Sequence, residues 1–177
     1  IERKEYQYDD RGYTIYDASQ GDGYKFANRY TRDEYGYVVD RDLLKGDGSL
    51  DIRYAYKYDG FGNLEETILY DAQGDVESGI VTSYDDSNRP AEVLRYTRHG
   101  QLQRRETFIY AANGNLSEHL IYDEYDNLDG RHVYTYGING RDEECTSYDG
   151  NGMFESRVSQ RYDENDNLVE YTTYDAD

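Results

Sequence analysis

The chain has 177 residues, which is long enough for one domain or for an array of repeats. Its 19 basic and 38 acidic residues give a formal net charge of -19, and no apolar run approaches the length of a membrane span, so we expect no nucleic-acid partner and no membrane insertion. Tyrosine supplies 23 residues against 4 Phe, 1 Met and no Trp, so most of the apolar surface carries hydroxyl groups.

Residues 1–57 are the first of two predicted segments, and we interpret them as degenerate copies of a repeat that becomes regular in residues 58–177. Counting back from Tyr58 with the spacing of the regular segment predicts hairpin turns directly after Ala18, Arg32 and Leu44. The stretches "SQGDGY", "DEYGYV" and "KGDGSL" supply Gly and Asp at these places, and both residue types favour turns. We therefore expect one continuous repeat array.

From Tyr58 onward, a tyrosine precedes each predicted turn, and a step of twelve positions alternates with one of fourteen, which gives a 26-residue period. The ten positions are Tyr58, Tyr70, Tyr84, Tyr96, Tyr110, Tyr122, Tyr136, Tyr148, Tyr162 and Tyr174. The motif, as in "YDGFGNL", begins its turn with Asp and places Gly, Asn or Asp three positions later, where the backbone becomes left-handed. This pattern predicts a type I turn followed by a bulge, with Tyr58 facing Leu64 across a β-hairpin.

The even spacing also predicts the orientation of these tyrosines. Side chains along a strand alternate between the two faces of a sheet, so even steps place every pre-turn tyrosine on one face. Even-numbered strand positions are mostly apolar or aromatic and odd-numbered ones mostly polar, so we expect one aromatic and one solvated face. The predicted fold class is all-β: a tandem β-hairpin repeat in a long antiparallel meander of about thirteen strands, coiled into a spiral or barrel-like wall.

The turn motifs also suggest a family. "YDGFGNL", "YAANGNL", "YDEYDNL" and "YDENDNL" resemble the YD repeats of the RHS family over about residues 58–177 and more loosely before them. The stretches "GDVESGIVTSY" and "DNLDGRHVYTY" are also similar to MORN-like repeats. The RHS resemblance implies arrays of β-hairpins that wind into hollow shells, as in bacterial and insecticidal toxin complexes and in cell-surface proteins.

A carboxylate recurs once in every period on the predicted aromatic face. These acids are Asp40, Glu66, Glu92, Glu118, Glu144 and Glu170. Their expected neighbours on the preceding strand are Tyr30, Tyr56, Thr82, Phe108, Tyr134 and Gln160, and Glu118 is expected opposite His132. Two interpretations remain open: a binding face, formed with Tyr54, Tyr56 and Tyr134, or a hydrogen-bonded ladder that fixes the register of the strands.

Acidic turns offer the one candidate for a metal. Asp123, Glu124 and Asp126 lie together in one predicted turn, and Asp163, Glu164 and Asp166 lie together in another. Oxygen ligands of this kind suit Ca²⁺, although neither turn has the spacing of an EF-hand and Asp is common in turns for its own sake. We expect no other cofactor. No motif for nucleophilic or nucleotide chemistry is present, so the chain is predicted not to be an enzyme.

These observations predict a structural or interaction repeat protein. We expect a bacterial protein, secreted or displayed on the cell surface, that forms a shell wall or the subunit of a fibre. Its partners would be further copies of itself or the remainder of a larger repeat protein, since the chain starts at Ile1 and ends in "YTTYDAD", partway into a repeat. The alternative is a module that binds carbohydrate or cations through its Tyr and Glu side chains.

Overall fold

The computed structural model describes residues 2–21, 24–137 and 142–176. The fold is all-β: fourteen strands follow one another in a single antiparallel meander, and each strand neighbours the next one in the chain. The strands are β1 (Arg3–Tyr8), β2 (Thr14–Gly21), β3 (Tyr24–Arg32), β4 (Val38–Leu44), β5 (Leu50–Tyr58), β6 (Leu64–Tyr70), β7 (Val76–Tyr84), β8 (Pro90–Thr97), β9 (Leu102–Tyr110), β10 (Leu116–Tyr122), β11 (Leu128–Tyr136), β12 (Asp142–Asp149), β13 (Phe154–Tyr162) and β14 (Leu168–Asp175). The predicted tandem hairpin repeat is confirmed.

The turn after Tyr58 shows how the motif closes each hairpin. The Asp59 amide donates to the Asn63 carbonyl at 2.9 Å, and the Gly62 amide donates to the Asp59 carbonyl at 3.1 Å. The Asp59 carboxylate accepts bonds from the backbone amides of Phe61 (2.8 Å) and Asn63 (2.9 Å). The aspartate therefore folds its own turn, as the sequence predicts.

The left-handed position of the turn also follows the prediction. Gly62 has φ +87°, in the region that favours glycine. Where another residue replaces glycine at this place, it is the predicted Asn or Asp, with φ of 58° at Asn88, 66° at Asp126 and 68° at Asp166. Glycine, asparagine and aspartate can therefore all occupy this position, and the backbone geometry of the turn stays the same.

A second irregularity follows each turn, and the sequence gives no sign of it. Tyr58 pairs with Leu64, as expected, but Lys57 pairs with Glu66, so Glu65 is an extra residue in β6. The same shift recurs in the other hairpins whose register the structure describes, apart from β2–β3. The extra residues are Ile15, Val39, Asp51, Glu65, Glu77, Ser117, Asp129, Glu143, Glu155 and Val169.

This bulge overturns the prediction of a single tyrosine face. Tyr70 pairs with Arg53, and directly paired residues share a face. Arg53 and Tyr58 are an odd number of positions apart in β5, so these two point to opposite faces. Each hairpin with this described bulge therefore reverses the parity by one residue, and the pre-turn tyrosines on either side of it point to opposite faces.

The N-terminal turns are partly as predicted. Hairpin turns follow Arg32 and Leu44, where Asp33 and Lys45 donate to Tyr37 and Ser49 at 3.0 and 2.8 Å. The turn predicted after Ala18 is wrong, because Ala18 lies inside β2, paired with Ala27 of β3. Part of the stretch "SQGDGY", residues 22 and 23, lies outside the described residues.

The chain divides into two compact units, Ile1–Thr82 with Arg95–Gln101, and Ser83–Leu94 with Leu102–Asp177. Among the described residues, the buried side chains are Ala27, Asn28 and Asp42 in the first unit and Ile121 in the second. Within the ranges that the structure describes, neither unit contains an extended apolar core, and the expected division into an aromatic face and a solvated face is wrong.

The strand order has two ends, so the sheet does not close on itself. β1 is exposed along its whole length, and β14 is exposed at all but one residue. The described part of the chain contains no helix long and apolar enough to cross a membrane. Coiling of the sheet into a spiral stays a prediction.

Candidate functional site

The predicted acids lie one residue away from their expected partners. Asp40 pairs with Thr31 instead of Tyr30, and Glu66 pairs with Lys57 instead of Tyr56. Glu118 lies opposite Val133, so its predicted pairing with His132 is wrong. Further along the array, Glu118 also pairs with Ile109, Glu144 with Thr135 and Glu170 with Arg161. The extra residue in each hairpin accounts for these displacements.

The acids and the tyrosines assigned to one binding face lie on opposite faces of the sheet. In the first unit, Asp40 pairs with Ala55, the residue between Tyr54 and Tyr56. In the second unit, Glu118 pairs with Val133, the neighbour of Tyr134 in β11. Side chains alternate along a strand, so each unit separates its carboxylates from these rings. A lining made jointly by Tyr54, Tyr56, Tyr134 and the acids is therefore not what the fold forms.

Arginine side chains, which the sequence analysis missed, lie beside the acids. We call Arg53, Arg105, Arg131 and Arg157 the arginine column. In the sequence, the interval from an acid to the arginine that follows it is constant, as from Glu118 to Arg131. The interval from each arginine to a later tyrosine is also constant, as from Arg131 to Tyr148. These arginines could have been identified from the sequence, because they recur at the repeat period. The step from Arg53 to Arg105 is twice that period.

Members of the arginine column in the second unit contact an acid on one side. Arg131 Nε donates to Glu118 Oε2 at 2.8 Å, and this hydrogen bond raises the pKa of Arg131. Arg157 lies 3.7 Å from Glu144. Arg105 likewise lies 3.7 Å from Glu92. The acids are thus neutralised by the chain's own cations.

The same arginines contact a tyrosine on the other side. Arg105 lies 3.7 Å from the centre of the Tyr122 ring, and Arg157 lies 4.3 Å from that of Tyr174. The corresponding distance from Arg131 to Tyr148 is 5.9 Å. In each case the arginine and the tyrosine are a directly paired cross-strand couple. Cation–π contacts of this kind stabilise by about 0.5–1 kcal/mol at exposed positions.

The first unit contains a variant of this arrangement around Asp42. Arg53 Nε donates to Asp42 Oδ1 at 2.6 Å, and Arg29 Nε donates to Asp42 Oδ2 at 3.2 Å. Asp42 is 3% exposed. The hydrogen bond from Arg53 lowers the pKa of Asp42, and the bond from Arg29 acts in the same direction, against the opposing effect of burial.

On the opposite face of the first unit, Tyr54 and Tyr56 form a flat aromatic pair. Their rings are parallel to within 6° and their centres are 6.2 Å apart. The Arg41 guanidinium lies 6.0 Å from the Tyr54 ring centre and donates to Asn28 Oδ1 at 3.0 Å. This surface combines rings with fixed polar groups.

A neighbouring hydrogen-bond network holds that surface in place. Asp17 accepts a bond from Asn28 Nδ2 at 2.9 Å and one from the Tyr30 hydroxyl at 2.6 Å. Burial, followed by the hydrogen bond to Asp17, raises the pKa of Tyr30 to about 12. The tyrosine therefore stays protonated as a donor.

The second unit has a row of ring side chains across β9, β10 and β11, which ends at a serine of β12. His119 stacks on Phe108 with ring centres 4.7 Å apart, and it lies 5.6 Å from the ring of His132. The outer ends of the row are polar, with Glu106 Oε2 2.9 Å from His119 Nε2 and Ser147 Oγ 2.8 Å from His132 Nδ1. The row is a ladder of side chains that contact one another across neighbouring strands.

The acidic turns use their carboxylates for hydrogen bonds within the chain, and calcium at these turns stays a prediction. Asp123 Oδ1 accepts bonds from the backbone amides of Tyr125 and Asn127, both at 2.9 Å. Asp126 accepts a bond from Arg105 Nε at 2.7 Å. The second turn, with Asp163, Glu164 and Asp166, repeats this use of its first carboxylate, which accepts the amide of Asn165 at 2.9 Å. Within the described ranges, no group of three or more acidic, His or Cys side chains could hold a metal ion.

Comparisons with known proteins give structural likeness without sequence likeness. No model of a known protein family matches the chain, and no curated protein matches it. The structure is similar to TcdB2-TccC3 in complex with Cdc42, with 12% identity, a TM-score of 0.53 and coverage of 97% of this chain and 11% of that chain. TcdB2-TccC3 without its hypervariable C-terminal region gives 13% identity, a TM-score of 0.54 and the same coverage.

A third similar structure is a Tc holotoxin pore from Photorhabdus luminescens. It has 14% identity and a TM-score of 0.51, and the match covers 93% of this chain and 11% of that chain. Identities this low show the fold alone. The chain thus shares its fold with a segment that is about a tenth of the length of these proteins.

Proposed function

We propose that this chain is a non-enzymatic structural module, a segment of the wall of a larger β-hairpin repeat shell. In this role the protein is bacterial and acts outside the cell or at its surface. The similarity to segments of Tc toxin proteins and the YD-type turn motifs support the assignment. The chain spans 11% of the matched proteins, so their activities and partners are a guide to architecture only.

The arginine column is the observation that carries the proposal. Each arginine is the cross-strand partner of a tyrosine on the next strand and reaches back to an acid on the preceding strand, as Arg131 does between Tyr148 and Glu118. The repeated polar side chains therefore bind neighbouring repeats to each other instead of converging on a cleft. Such nearest-neighbour cohesion is what an extendable wall requires.

An insertion experiment tests whether the array is extendable. A copy of residues 102–127, one full repeat period that contains β9 and β10, is inserted after Asn127. We expect a cooperative unfolding transition with a Tm equal to or above that of the parent chain, because the new strands reproduce the contacts of the old ones.

The matched control is the same insertion without its copy of Thr107, which shortens the period by one residue. In that variant either the bulge at the start of the shortened strand is lost or the following strands shift to the wrong face, so it should unfold at a lower temperature than the full-period insertion. If the full-period insertion is as destabilising as the shortened one, the chain is a self-contained domain and the wall proposal fails.

Sugar binding is a second candidate function, favoured by the parallel rings of Tyr54 and Tyr56 beside Arg41. Flat aromatic faces bordered by hydrogen-bonding groups suit the apolar and hydroxylated sides of a sugar ring. A glycan array screen of the intact chain tests it. Binding to one sugar class that disappears on Tyr54→Ala and Tyr56→Ala, but survives Tyr134→Ala, would assign the surface; no binding to any glycan would remove this candidate.

A further inference from the structure

The arginine column has one gap. The repeat period that leads from Arg53 to Arg105 in two steps places Gly79 at the intermediate position. All the remaining positions of this series, from Arg53 to Arg157, are occupied by arginine. One repeat therefore lacks the guanidinium that its equivalents place between an acid and a tyrosine.

The surroundings of that missing side chain are retained. Glu66 precedes Gly79 and Tyr96 follows it at the intervals found in the complete repeats. A Cβ atom added at Gly79 would lie 3.9 Å from Tyr96 Cβ and 4.0 Å from the Thr67 carbonyl, which are ordinary contact distances. All four residues belong to the first compact unit. The site has its acid and its ring but not its cation.

The Glu66 carboxylate is also left without an ion pair in this part of the structure. Its cross-strand neighbour Lys57 binds Glu65 instead, at 2.8 Å. Among the described residues, no hydrogen bond or salt bridge to the Glu66 side chain is formed, whereas Glu118 at the equivalent position accepts a bond from Arg131. The hydrogen bond to Glu65 and, to a smaller extent, the charge of Glu66 raise the pKa of Lys57, so this lysine acts on Glu66 without a salt bridge. Glu66 is half-buried, and a carboxylate there favours a cation in closer contact.

We propose that this gap, formed by Glu66, Gly79 and Tyr96, binds an arginine side chain of a partner polypeptide. The complete repeats show the fit, because Arg105 lies within 3.7 Å of both an acid and the centre of a tyrosine ring. An incoming guanidinium would reproduce both contacts from outside the chain. The net charge of -19 attracts a basic partner to the surface as a whole.

Arginine is favoured over lysine at this site. The planar guanidinium can bond a carboxylate with two N–H groups while its face stacks on an aromatic ring, and the ammonium group of lysine cannot do both. The site is open on one side of a single sheet, so one side chain alone should bind weakly, with a Kd of about 1 mM or higher. The affinity of a whole partner would come from additional contacts around this anchor.

Nuclear magnetic resonance on the intact, ¹⁵N-labelled chain tests the proposal, with N-acetyl-arginine amide as the probe. We expect saturable shift changes centred on the amides of Glu66, Gly79 and Tyr96, and weaker changes with N-acetyl-lysine amide. Shifts of equal size for both probes, or shifts spread over all acidic turns, would reduce the effect to general charge attraction and overturn the proposal.

Three variants locate the binding. Gly79→Arg should abolish the shifts, because the chain's own guanidinium fills the gap, and it should raise the Tm. Gly79→Ala adds only a Cβ atom and should leave binding within about twofold of the parent, while Glu66→Gln should weaken it several-fold. Glu118→Gln, in a complete repeat, is the control and should leave binding unchanged.

Probe binding that persists in both Gly79→Arg and Glu66→Gln would place the arginine site elsewhere and refute the assignment. Loss of the shifts in Glu66→Gln with retention in Gly79→Ala supports it even if Gly79→Arg fails to fold. This inference does not depend on the wall proposal, which the repeat insertion tests separately.

Discussion

Individual residues of the turn motif have distinct structural roles. Where a turn begins with aspartate, as at Asp59, its carboxylate accepts the backbone amides of residues that follow it. The residue three places later adopts a left-handed backbone. These two requirements could be predicted from the sequence because they are local and depend on a few residue types only.

Substitutions at Gly62 and Gly74 can distinguish the cost of backbone strain from the cost of side-chain crowding. Both have φ +87°, but a Cβ atom at Gly74 meets nothing within 4 Å, whereas one at Gly62 meets the ring of Tyr37. Gly74→Ala should therefore lower the free energy of unfolding by about 1–2 kcal/mol, the cost of a left-handed non-glycine residue. Gly62→Ala should cost more, because Tyr37 must also leave its stack on Tyr58, 4.7 Å away. Urea denaturation measures both, and equal costs would contradict the crowding argument.

His132 gives the second unit a dependence on pH. Burial, followed by repulsion from His119 and with a smaller effect of Arg104, lowers the pKa of His132, and Glu155 opposes the shift. The folded chain therefore binds the proton less well than the unfolded chain. Stability is unaffected above the unfolded pKa of about 6.5 and falls as the pH drops below it, until the folded pKa is passed.

The measurement is the Tm at about pH 7.5 and about pH 5, a window chosen because unfolded carboxylates titrate below it. The parent should lose stability on acidification, and His132→Asn, which keeps a polar group near Ser147, should lose less. Parallel losses in the two proteins would show that other groups cause the pH dependence.

At the scale of strands and hairpins, the structure departs from the sequence prediction at the bulge. The extra residue is Ile15, Val39 or Glu65 in different hairpins, so no residue type identifies the bulge in the sequence. Its effect is large, because it exchanges the faces of all following residues. The hairpins and most of the turns were predictable from local patterns, while the faces and the partners of the acids depend on the bulge and were not.

A pair of deletions distinguishes the bulge residue from a ladder residue. Removing Glu65 leaves Tyr58 opposite Leu64 and Lys57 opposite Glu66, so every described pair of this hairpin survives. We expect a loss of about 1 kcal/mol or less. Removing Thr67 forces the bulge to absorb the change and moves Glu66 to the other face, which should cost more.

The free energies of unfolding of the two deletion variants are compared by urea denaturation with the same parent chain. A single cooperative transition is expected for the Glu65 deletion. If that deletion is the more damaging of the two, the extra residue has a packing role and does not act as a spacer alone.

For the molecule as a whole, cohesion comes from repetition. Strands neighbour one another in chain order, few side chains are buried, and the arginine column links strands in both units. A sheet built in this way has no need of a closed core, but it leaves edge strands that can pair with other chains. The fibre prediction applies to these edges.

The outer edge of β14 can be blocked without disturbing its inner edge. The Ala176 amide donates to Glu155 of β13, and donors alternate along an antiparallel strand, so the Thr173 amide points away from β13 while that of Thr172 points towards it. Thr173→Pro should remove an outward donor with little loss in Tm. Thr172→Pro, the control, breaks an inner hydrogen bond and should lower the Tm.

If edge strands pair between copies, assembly should increase with salt, because salt screens the repulsion due to the net charge of -19. Analytical ultracentrifugation and electron microscopy of the parent chain from about 0.05 to 1 M NaCl should then show growing open assemblies, since contact between β1 and β14 of successive copies does not close. Thr173→Pro should remain small at every salt concentration. A parent chain that stays monodisperse throughout would exclude the fibre and leave the wall of a larger protein, whose neighbouring strands cover both edges, as the arrangement consistent with the fold.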